Sequence, residues 1–351
     1  MACLLRDGPL AAALRALDVE THLVPTTRLR HVVTAAQAIR KIRDIVLQDD
    51  VDLVFGNMAM GYVYGGLASL GTRGRGVWFQ HTIPSPVDTL GWFAASLPAD
   101  RIYVNSQSTM KAQLRRLPIT AGRVQLLYYG LDMRRFTPAE DATRPLSREL
   151  GIPEDAPIVA VIARLQRGKG QHIFLQAAAH VRRWWPRARF LVVGDTLFGL
   201  EPEYKAELRA LADQLQLSEH VMFTGFRDDV PALLNGVDIV VHAATAPEAF
   251  GLAVAESLAM AKPVVATRGE GPAEIVEDGE TGFLVSPGDA QALADKILLL
   301  LHDAGLRRRM GTKGRDMVLR RFTMERMIGE LEESYLDVLR RGESGRGQSL
   351  S

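Results

Sequence analysis

The chain has 351 residues, of which 47% are hydrophobic and 24% charged, as in a soluble globular protein with room for two domains. Its 42 basic and 41 acidic residues give a formal net charge of +1, which argues against a nucleic-acid-binding protein with a large basic footprint. A single cysteine, Cys3, allows no internal disulfide and fits a reducing compartment. Because there is neither a signal-peptide pattern nor an apolar run of roughly 18 residues, we expect a cytoplasmic protein.

In the first part of the chain, short apolar runs alternate with amphipathic stretches, which predicts βαβ units and a mainly parallel sheet. The predicted strands are Ala2–Leu5, Thr21–Val24, Leu53–Gly56, Gly76–Gln80, Arg101–Val104 and Val124–Tyr128. The predicted helices are Pro9–Leu17, Val32–Gln48, Tyr62–Leu70 and Ser106–Leu117. This pattern defines an N-terminal Rossmann-like domain, residues 1–140, whose basic residues outnumber its acidic ones.

A proline-containing, charged segment, residues 141–150, reads as an interdomain linker, and a second alternating series follows over residues 151–323. Its predicted strands are Ile158–Ala163, Arg189–Val193, Val221–Thr224, Ile239–His242, Pro263–Ala266 and Gly282–Leu284. Its predicted helices are Gly170–Trp184, Glu203–Leu215, Val230–Leu234, Gly251–Met260, Ala273–Val276, Ala290–Asp303 and Ala304–Arg320. A last helix is predicted over residues 324–340, and the Gly/Ser-rich tail, residues 342–351, is predicted to be disordered.

The sequence therefore predicts two doubly wound α/β domains in tandem. Ligands of such sheets bind beyond the carboxyl ends of the strands. With two such domains, the expected site is the cleft between them.

The segment Pro247–Glu256 is the most informative part of the chain. Glu248 and Glu256 flank Gly251, which stands where a strand-to-helix turn is predicted. The backbone N–H groups of the following helix could bind an anion, and the two carboxylates could hold hydroxyl groups. A nucleotide-sugar needs both kinds of contact. Taken singly, Glu256 is also explained as an exposed helix residue and Glu248 as a residue favoured by the helix dipole.

Three further positions at predicted strand ends are candidates for ligand contacts. Arg164 and Lys169 lie in a turn between a strand and a helix, which suits a diphosphate, although a solvated basic turn has the same composition. Gly225 and Phe226 end another strand and could meet a base, the alternative being that Phe226 is hydrophobic cover. His81 follows an apolar strand and could orient a substrate hydroxyl, the alternative being a histidine satisfied by backbone groups.

Together these segments resemble the retaining GT-B glycosyltransferases with an E-x₇-E motif, glycosyltransferase family 4. The similarity covers nearly the whole chain. Its pieces include Asp100–Ser106, Tyr129–Phe136, Arg164–Gly170, Val192–Asp195, Thr224–Phe226, Pro247–Glu256 and Gly271–Val276. The resemblance implies the GT-B fold, two Rossmann-like domains facing across a cleft, with the last helix packed back on the first domain.

The resemblance also implies roles for individual residues. Arg164 and Lys169 would neutralise the donor diphosphate, and Glu256 would hold the ribose. Glu248 would contact the transferred sugar, with the amides of Phe250, Gly251 and Leu252 near sugar or phosphate. His81 would lie beside sugar and acceptor. The implied reaction is transfer from a UDP- or GDP-sugar to a glycan or glycolipid with retention of configuration and without a metal or other cofactor.

One departure from the family pattern gives rise to an alternative function. Met1–Leu10 resembles the second strand of family members and the start of their next helix, so the first βα unit, which normally carries a glycine loop, is expected to be missing. A nucleotide-sugar-binding or scaffold protein without catalysis is therefore a second hypothesis, and an epimerase of the same shape is a third. The basic N-terminal domain also suggests peripheral contact with an anionic membrane, with an ordinary solvated surface as the alternative.

Overall fold

The computed structural model describes residues 1–26, 31–85, 87–139, 145–197 and 199–347, and it divides the chain into two units. The first comprises Met1–Leu127 with Gly329–Ser351, and the second comprises Tyr128–Ile328. The second unit thus begins before the predicted boundary at residue 140, because Leu131 and Phe136 already pack into its core. Within the described ranges, every helix is too short or too polar to cross a membrane.

The described residues of the first unit form two separate parallel sheets. Strands β1 (Ala2–Leu4) and β2 (Thr21–Leu23), joined through helix α1 (Pro9–Ala16), form one of them. The other has four strands in chain order, β3 (Leu53–Asn57), β4 (Arg75–Gln80), β5 (Arg101–Val104) and β6 (Val124–Leu126). The remaining helices before residue 128 are α2 (Val32–Gln48), α3 (Met58–Ser69), α4 (Thr89–Ser96) and α5 (Gln107–Arg116).

Helix α4 is absent from the elements predicted from the sequence. Its Ala94 and Ala95 are buried, but the large side chains of Trp92 and Phe93 are each 46% exposed. The apolar residues therefore do not follow the periodicity of an amphipathic helix, which is the signal that sequence reasoning uses. The Asp88 carboxylate accepts a hydrogen bond from the Gly91 amide and caps the helix.

An apolar cavity of about 620 Å³ lies between the two sheets of the first unit. Residues of β1 and β3 line it, together with side chains of α2 and α3 that include Ile42, Ile45 and Tyr64. No ladder joins β1 to β3 among the described residues, so each of these strands leaves one backbone edge without a strand partner. Such edges are unusual in a parallel sheet, which is normally covered on both sides.

The last helix, α14 (Met324–Gly347), contributes its later residues to the first unit. The Tyr103 hydroxyl donates to Ser334 Oγ at 2.9 Å, Arg101 pairs with Asp337, and Tyr335 packs edge-on against Phe55. The sequence predicts disorder from Gly342, whereas the helix continues to Gly347. Extending an anchored helix costs little because each added residue gains a backbone hydrogen bond. Residues 348–351 lie outside the described residues.

The second unit is a six-stranded parallel sheet with helices on both faces. Its strands, in the order β12-β11-β10-β7-β8-β9, are β7 (Ile158–Ile162), β8 (Arg189–Val193), β9 (Val221–Gly225), β10 (Ile239–His242), β11 (Val264–Thr267) and β12 (Gly282–Val285). Its helices are α6 (Pro145–Glu149), α7 (Gln171–Trp184), α8 (Tyr204–Gln214), α9 (Val230–Gly236), α10 (Leu252–Ala259), α11 (Pro272–Ile275), α12 (Ala290–His302) and α13 (Ala304–Arg321).

Helix α6 falls within the segment predicted to be a linker. Its Leu146 is only 3% exposed and lies against Gly236 of α9, so residues 145–149 are part of the packed second unit. The predicted linker residues 141–144 lie outside the described residues.

The strand order of the second sheet determines where its ligand-binding loops lie. The chain proceeds from β7 to β8 and β9 on one side and later returns to β10 on the other, which makes β7 and β10 the flanks of a topological switch point. Alternate residues of β7 pack into the apolar clusters on opposite faces, Val159 and Val161 on one and Ile158 and Ala160 on the other. The loops after β7 and β10 therefore emerge side by side at the edge where such sheets bind ligands.

Candidate functional site

The loop after β7 is fastened to the loop after β10 by backbone contacts. The amides of Thr245 and Ala246 both donate to the carbonyl of Gly168, at 3.0 and 3.1 Å. Gly170 has a φ of +71°, and a Cβ at this position would overlap the carbonyl oxygen of Ala243. Only glycine fits such a left-handed position pressed against another backbone. These contacts fix the position of the Lys169 backbone.

Replacing Gly170 with alanine is expected to destabilise the protein by about 3 kcal/mol, because the added methyl group would overlap the backbone of Ala243 at a left-handed position. Thermal unfolding would show this as a clear fall in Tm. Gly329 in α14 offers a matched control, since a Cβ there meets nothing within 4 Å. Gly329→Ala is expected to leave Tm unchanged or raise it slightly. Equal Tm values for both variants would contradict the close approach at Gly170.

The loop fastening brings Lys169 into an ion pair with Glu248. The Lys169 ammonium contacts Oε2 of Glu248, and the two side chains are 24% and 21% exposed. His242, the last residue of β10, places its Nε2 3.7 Å from the same oxygen. Burial by itself raises the pKa of Glu248, but the proximity of His242 and Lys169 outweighs burial and lowers that pKa to about 2. Glu248 is therefore a carboxylate at any physiological pH.

The start of α10 presents backbone donors next to this pair. Gly251, at φ +100°, precedes the helix, and no side chain caps it. The amides of Phe250, Gly251 and Leu252 donate no hydrogen bond within the described residues. Gly271 lies so close to the Phe250 backbone that a side chain at residue 271 would overlap it. The amide of Gly271 also donates to the carbonyl of Glu248 at 2.9 Å. Contacts with Gly271 thus hold the turn in place, while the amides of Phe250, Gly251 and Leu252 remain available to a ligand.

The ring of Phe250 anchors the same turn from the core side. Phe250 is 2% exposed and packs against Tyr128, Tyr129 and Phe322, with ring centroids 5.2 to 6.2 Å apart. Only its backbone is therefore available for contact with a ligand, and that contact remains a prediction.

Glu256 lies on the second turn of α10 and is partly buried. Its carboxyl group makes no hydrogen bond or ion pair within the described part of the chain. Burial raises the pKa of Glu256 to about 7, against a smaller lowering effect of Arg135. A partly buried carboxyl group without a partner is costly, and a ligand hydroxyl would reduce that cost.

Arg164 and Lys169 are placed differently, although the sequence pairs them. The Arg164 carbonyl accepts a hydrogen bond from the buried Gln171 at 2.8 Å, so its backbone is ordered. Its guanidinium group is exposed and has no ion-pair partner in the described ranges. The structure thus adds a contact that the sequence did not predict, between Lys169 and Glu248, and leaves Arg164 directed to solvent.

Gly225 is the last residue of β9, the edge strand next to β8, and Phe226 follows it. The Gly225 carbonyl accepts from the Gly194 amide at 2.9 Å, and Gly225 has a φ of +73°. Phe226 is 68% exposed, so it does not serve as cover for the hydrophobic core. Contact with a base remains a prediction for this pair.

In the first unit, His81 directly follows β4. Its ring stacks on that of Phe79 at 4.3 Å, and its carbonyl accepts a hydrogen bond from Asn105 at 3.0 Å. Burial lowers the pKa of His81, which favours the neutral imidazole at neutral pH. A neutral ring can accept or donate a proton, so the proposed role with a hydroxyl group is chemically available.

Two residues of the site were missed by sequence reasoning. His242 and Thr267, the last residues of the neighbouring strands β10 and β11, line a cavity of about 180 Å³ together with Glu248. His242 could have been found by the argument used for His81, because it too ends an apolar strand. Thr267 carries no comparable signal, since a threonine at a strand end is common.

Comparisons with known proteins point to the second unit. Residues 143–317 match the family described as glycosyl transferases group 1. The putative glycosyltransferase EpsD of Bacillus subtilis is 33% identical over 67% of this chain and 59% of its own length. The N-acetyl-alpha-D-glucosaminyl L-malate synthase of Bacillus anthracis is 32% identical over 64% of this chain and 56% of its own. The matched part thus spans less than two thirds of these relatives.

Similarity to solved structures extends over both units. HepE of Anabaena, crystallised with UDP and glucose, is 28% identical and aligns with a TM-score of 0.85 over 95% of this chain and 90% of its own. Together with the parallel sheets of both units, this match confirms the predicted GT-B fold class. The residues predicted to bind the donor all lie within the segment matched by the family model.

Proposed function

We propose that the protein is a retaining glycosyltransferase, because residues 143–317 match the glycosyl transferases group 1 family. It transfers a sugar from a UDP- or GDP-linked donor to a glycan or glycolipid acceptor. His81 and Glu248 act in catalysis, and the other candidate residues of the second unit bind the donor.

The observation that carries the proposal is the arrangement around Glu248. A carboxylate held by Lys169 stands next to the unpaired amides of Phe250, Gly251 and Leu252, and Glu256 follows on the same helix. Amides at a helix start and a lysine suit phosphate oxygens, whereas carboxylates suit sugar hydroxyls. A diphosphate flanked by two sugars has this sequence of groups.

UDP is the favoured nucleotide because HepE, a similar protein by sequence and fold, was crystallised with UDP and glucose. The diphosphate would be neutralised by Lys169 and by the exposed Arg164, whose guanidinium is free to move toward an anion. With cations supplied by side chains, we propose that no metal is required. The leaving phosphate would assist deprotonation of the acceptor, and His81 would orient the reacting hydroxyl.

We further propose that the basic first domain makes peripheral contact with the cytoplasmic face of a membrane when the acceptor is lipid-linked. The charge distribution of the sequence supports this contact.

An alternative is a protein that binds nucleotide-sugars without turnover. The interrupted sheet of the first unit, with its cavity of about 620 Å³, favours this alternative because it alters the domain expected to bind the acceptor. Its donor site would be the same.

Incubation with labelled UDP-glucose, UDP-N-acetylglucosamine and GDP-mannose tests the proposal, with free sugar and transferred sugar both measured. We expect slow hydrolysis of a UDP-sugar and a rise in Tm with UDP. A rise in Tm without hydrolysis or transfer would favour the binding protein. No turnover and no change in Tm with any nucleotide would refute both functions.

A further inference from the structure

His242 lies beside Glu248, and the proposed donor contacts do not use it. It ends β10, its side chain is only 11% exposed, and its Nε2 is buried without a hydrogen-bond partner. Oε2 of Glu248, 3.7 Å away, is just beyond hydrogen-bonding distance. A shift of a few tenths of an ångström would therefore complete this contact.

The orientation of the His242 ring is set by Thr267 on the neighbouring strand. Thr267 is 2% exposed, and its hydroxyl donates to the carbonyl of Ala244 at 2.9 Å. Since a hydroxyl has one proton to donate, its oxygen can only accept from His242 Nδ1, which lies 3.4 Å away. The hydrogen-bond order Nδ1–H to Thr267 to Ala244 turns Nε2 toward Glu248. Because a carboxylate can only accept, the contact with Oε2 requires a proton on Nε2 as well as on Nδ1.

Both neighbours of Glu248 face the same carboxylate oxygen. Lys169 and His242 approach Oε2, while Oε1 receives no hydrogen bond within the described residues. A carboxylate held on one oxygen is fixed in rotation and presents the other. The free oxygen Oε1 is then the one available to a ligand.

The charge balance of the site explains why Oε2 of Glu248 needs a second contact besides Lys169. A bound diphosphate attracts the Lys169 ammonium, so that Lys169 must be shared between two anions. Glu248 would then lose part of its support at the moment when its orientation matters. His242 approaches the same oxygen from the end of β10, and no contact between His242 and the diphosphate is proposed.

We propose that His242 is a positioning residue for Glu248, holding Oε2 so that Oε1 faces the transferred sugar. This inference rests on the proposed transferase function for its kinetic consequence, but the contact itself can be tested without turnover.

The kinetic test is a double-mutant cycle with His242→Ala and Glu248→Gln. We expect His242→Ala to lower kcat about 10-fold to 100-fold, to change the Kd of UDP less than about twofold, and to have no further effect when Glu248 is already glutamine. His242→Gln, whose side-chain amide can reach Oε2, is expected to recover part of the loss. His180→Ala, in α7, serves as the histidine control and is expected to retain full activity. An equal loss from His242→Ala in both backgrounds, or an unchanged kcat, would overturn the inference.

The acid stability of the protein provides the readout that is independent of turnover. The lowered pKa of Glu248 stabilises the folded state above pH 4.5, and this contribution is lost as the pH falls toward 2. Without His242, Tm should fall less steeply over this range, and no such difference should remain in the Glu248→Gln background. Parallel Tm curves for the wild type and His242→Ala would refute the contact. If the contact is present but no donor is turned over, the proposed function fails and the positioning of Glu248 stands.

Discussion

Lys169→Ala is expected to lower kcat/KM for a UDP-sugar at least about a hundredfold, which corresponds to about 3 kcal/mol. The substitution removes a cation from the expected diphosphate site and leaves Glu248 with His242 as its remaining support. UDP binding should weaken as well, because the lysine acts on the nucleotide and on Glu248. Steady-state kinetics together with calorimetric titration of UDP would separate the two effects.

The ion pair between Lys313 and Glu280 provides a control for the loss of a lysine. Both of its side chains are 58% exposed and it lies in the same unit. Exposed pairs contribute about 1 kcal/mol or less, so Lys313→Ala should leave kinetics and UDP binding unchanged. An equally small effect of Lys169→Ala would remove the central support for the proposed donor site.

Glu256→Gln is expected to make the protein more stable and less able to bind UDP. Burial raises the pKa of Glu256 to about 7, so the folded protein holds this proton more tightly than the unfolded chain does. The stabilisation by the protonated form is complete below pH 4.5 and is lost as the pH rises to 7. At pH 8 the ionised group costs at most about 3 kcal/mol, which glutamine avoids. Tm should rise clearly at pH 8 and little at pH 4.5.

The effect of Glu256→Gln on UDP binding follows from the proposed contact of Glu256 with the ribose. Losing a charged acceptor for hydroxyl groups should weaken UDP binding at least about tenfold. Glu219, an exposed glutamate of the same unit, serves as control, since Glu219→Gln should change neither quantity. Weaker UDP binding without a gain in Tm at pH 8 would contradict the description of Glu256 as a buried carboxyl group that lacks a partner. Stronger or unchanged UDP binding would remove its proposed contact with ribose.

Much of the fold could be predicted because all three sheets are parallel and the central strands of the two larger sheets are buried. The strands Arg101–Val104, Arg189–Val193 and Ile239–His242 have the predicted bounds, since each is a short apolar run between turn residues. Helix α4 was not predicted because its exposed aromatic residues obscure the apolar periodicity of an amphipathic helix. The boundary between the units was displaced because Leu131 and Phe136 lie in a segment with few regular elements.

The candidate site was predictable in part for a similar reason. Glu248, Gly251 and Glu256 are close in sequence, so one helix start brings them together. The contact between Lys169 and Glu248 joins loops that are far apart in sequence, and it depends on β7 lying beside β10. Strand order is a property of the whole sheet, which no local pattern encodes. The contact between His242 and Glu248 joins the end of β10 to the loop that follows it.

The interruption between β1 and β3 also has a consequence for how the first unit responds to stress. Apart from its link to α2, the segment with β1, α1 and β2 is attached through side chains such as Cys3, Leu5 and Val24, which pack in the cluster with α2 and α3. No strand ladder among the described residues ties it to the four-stranded sheet. Such a segment can open by local unfolding without breaking the hydrogen bonds of its neighbour. The first unit therefore contains a weakly cooperative element, whereas ladders join all six described strands of the second unit into one sheet.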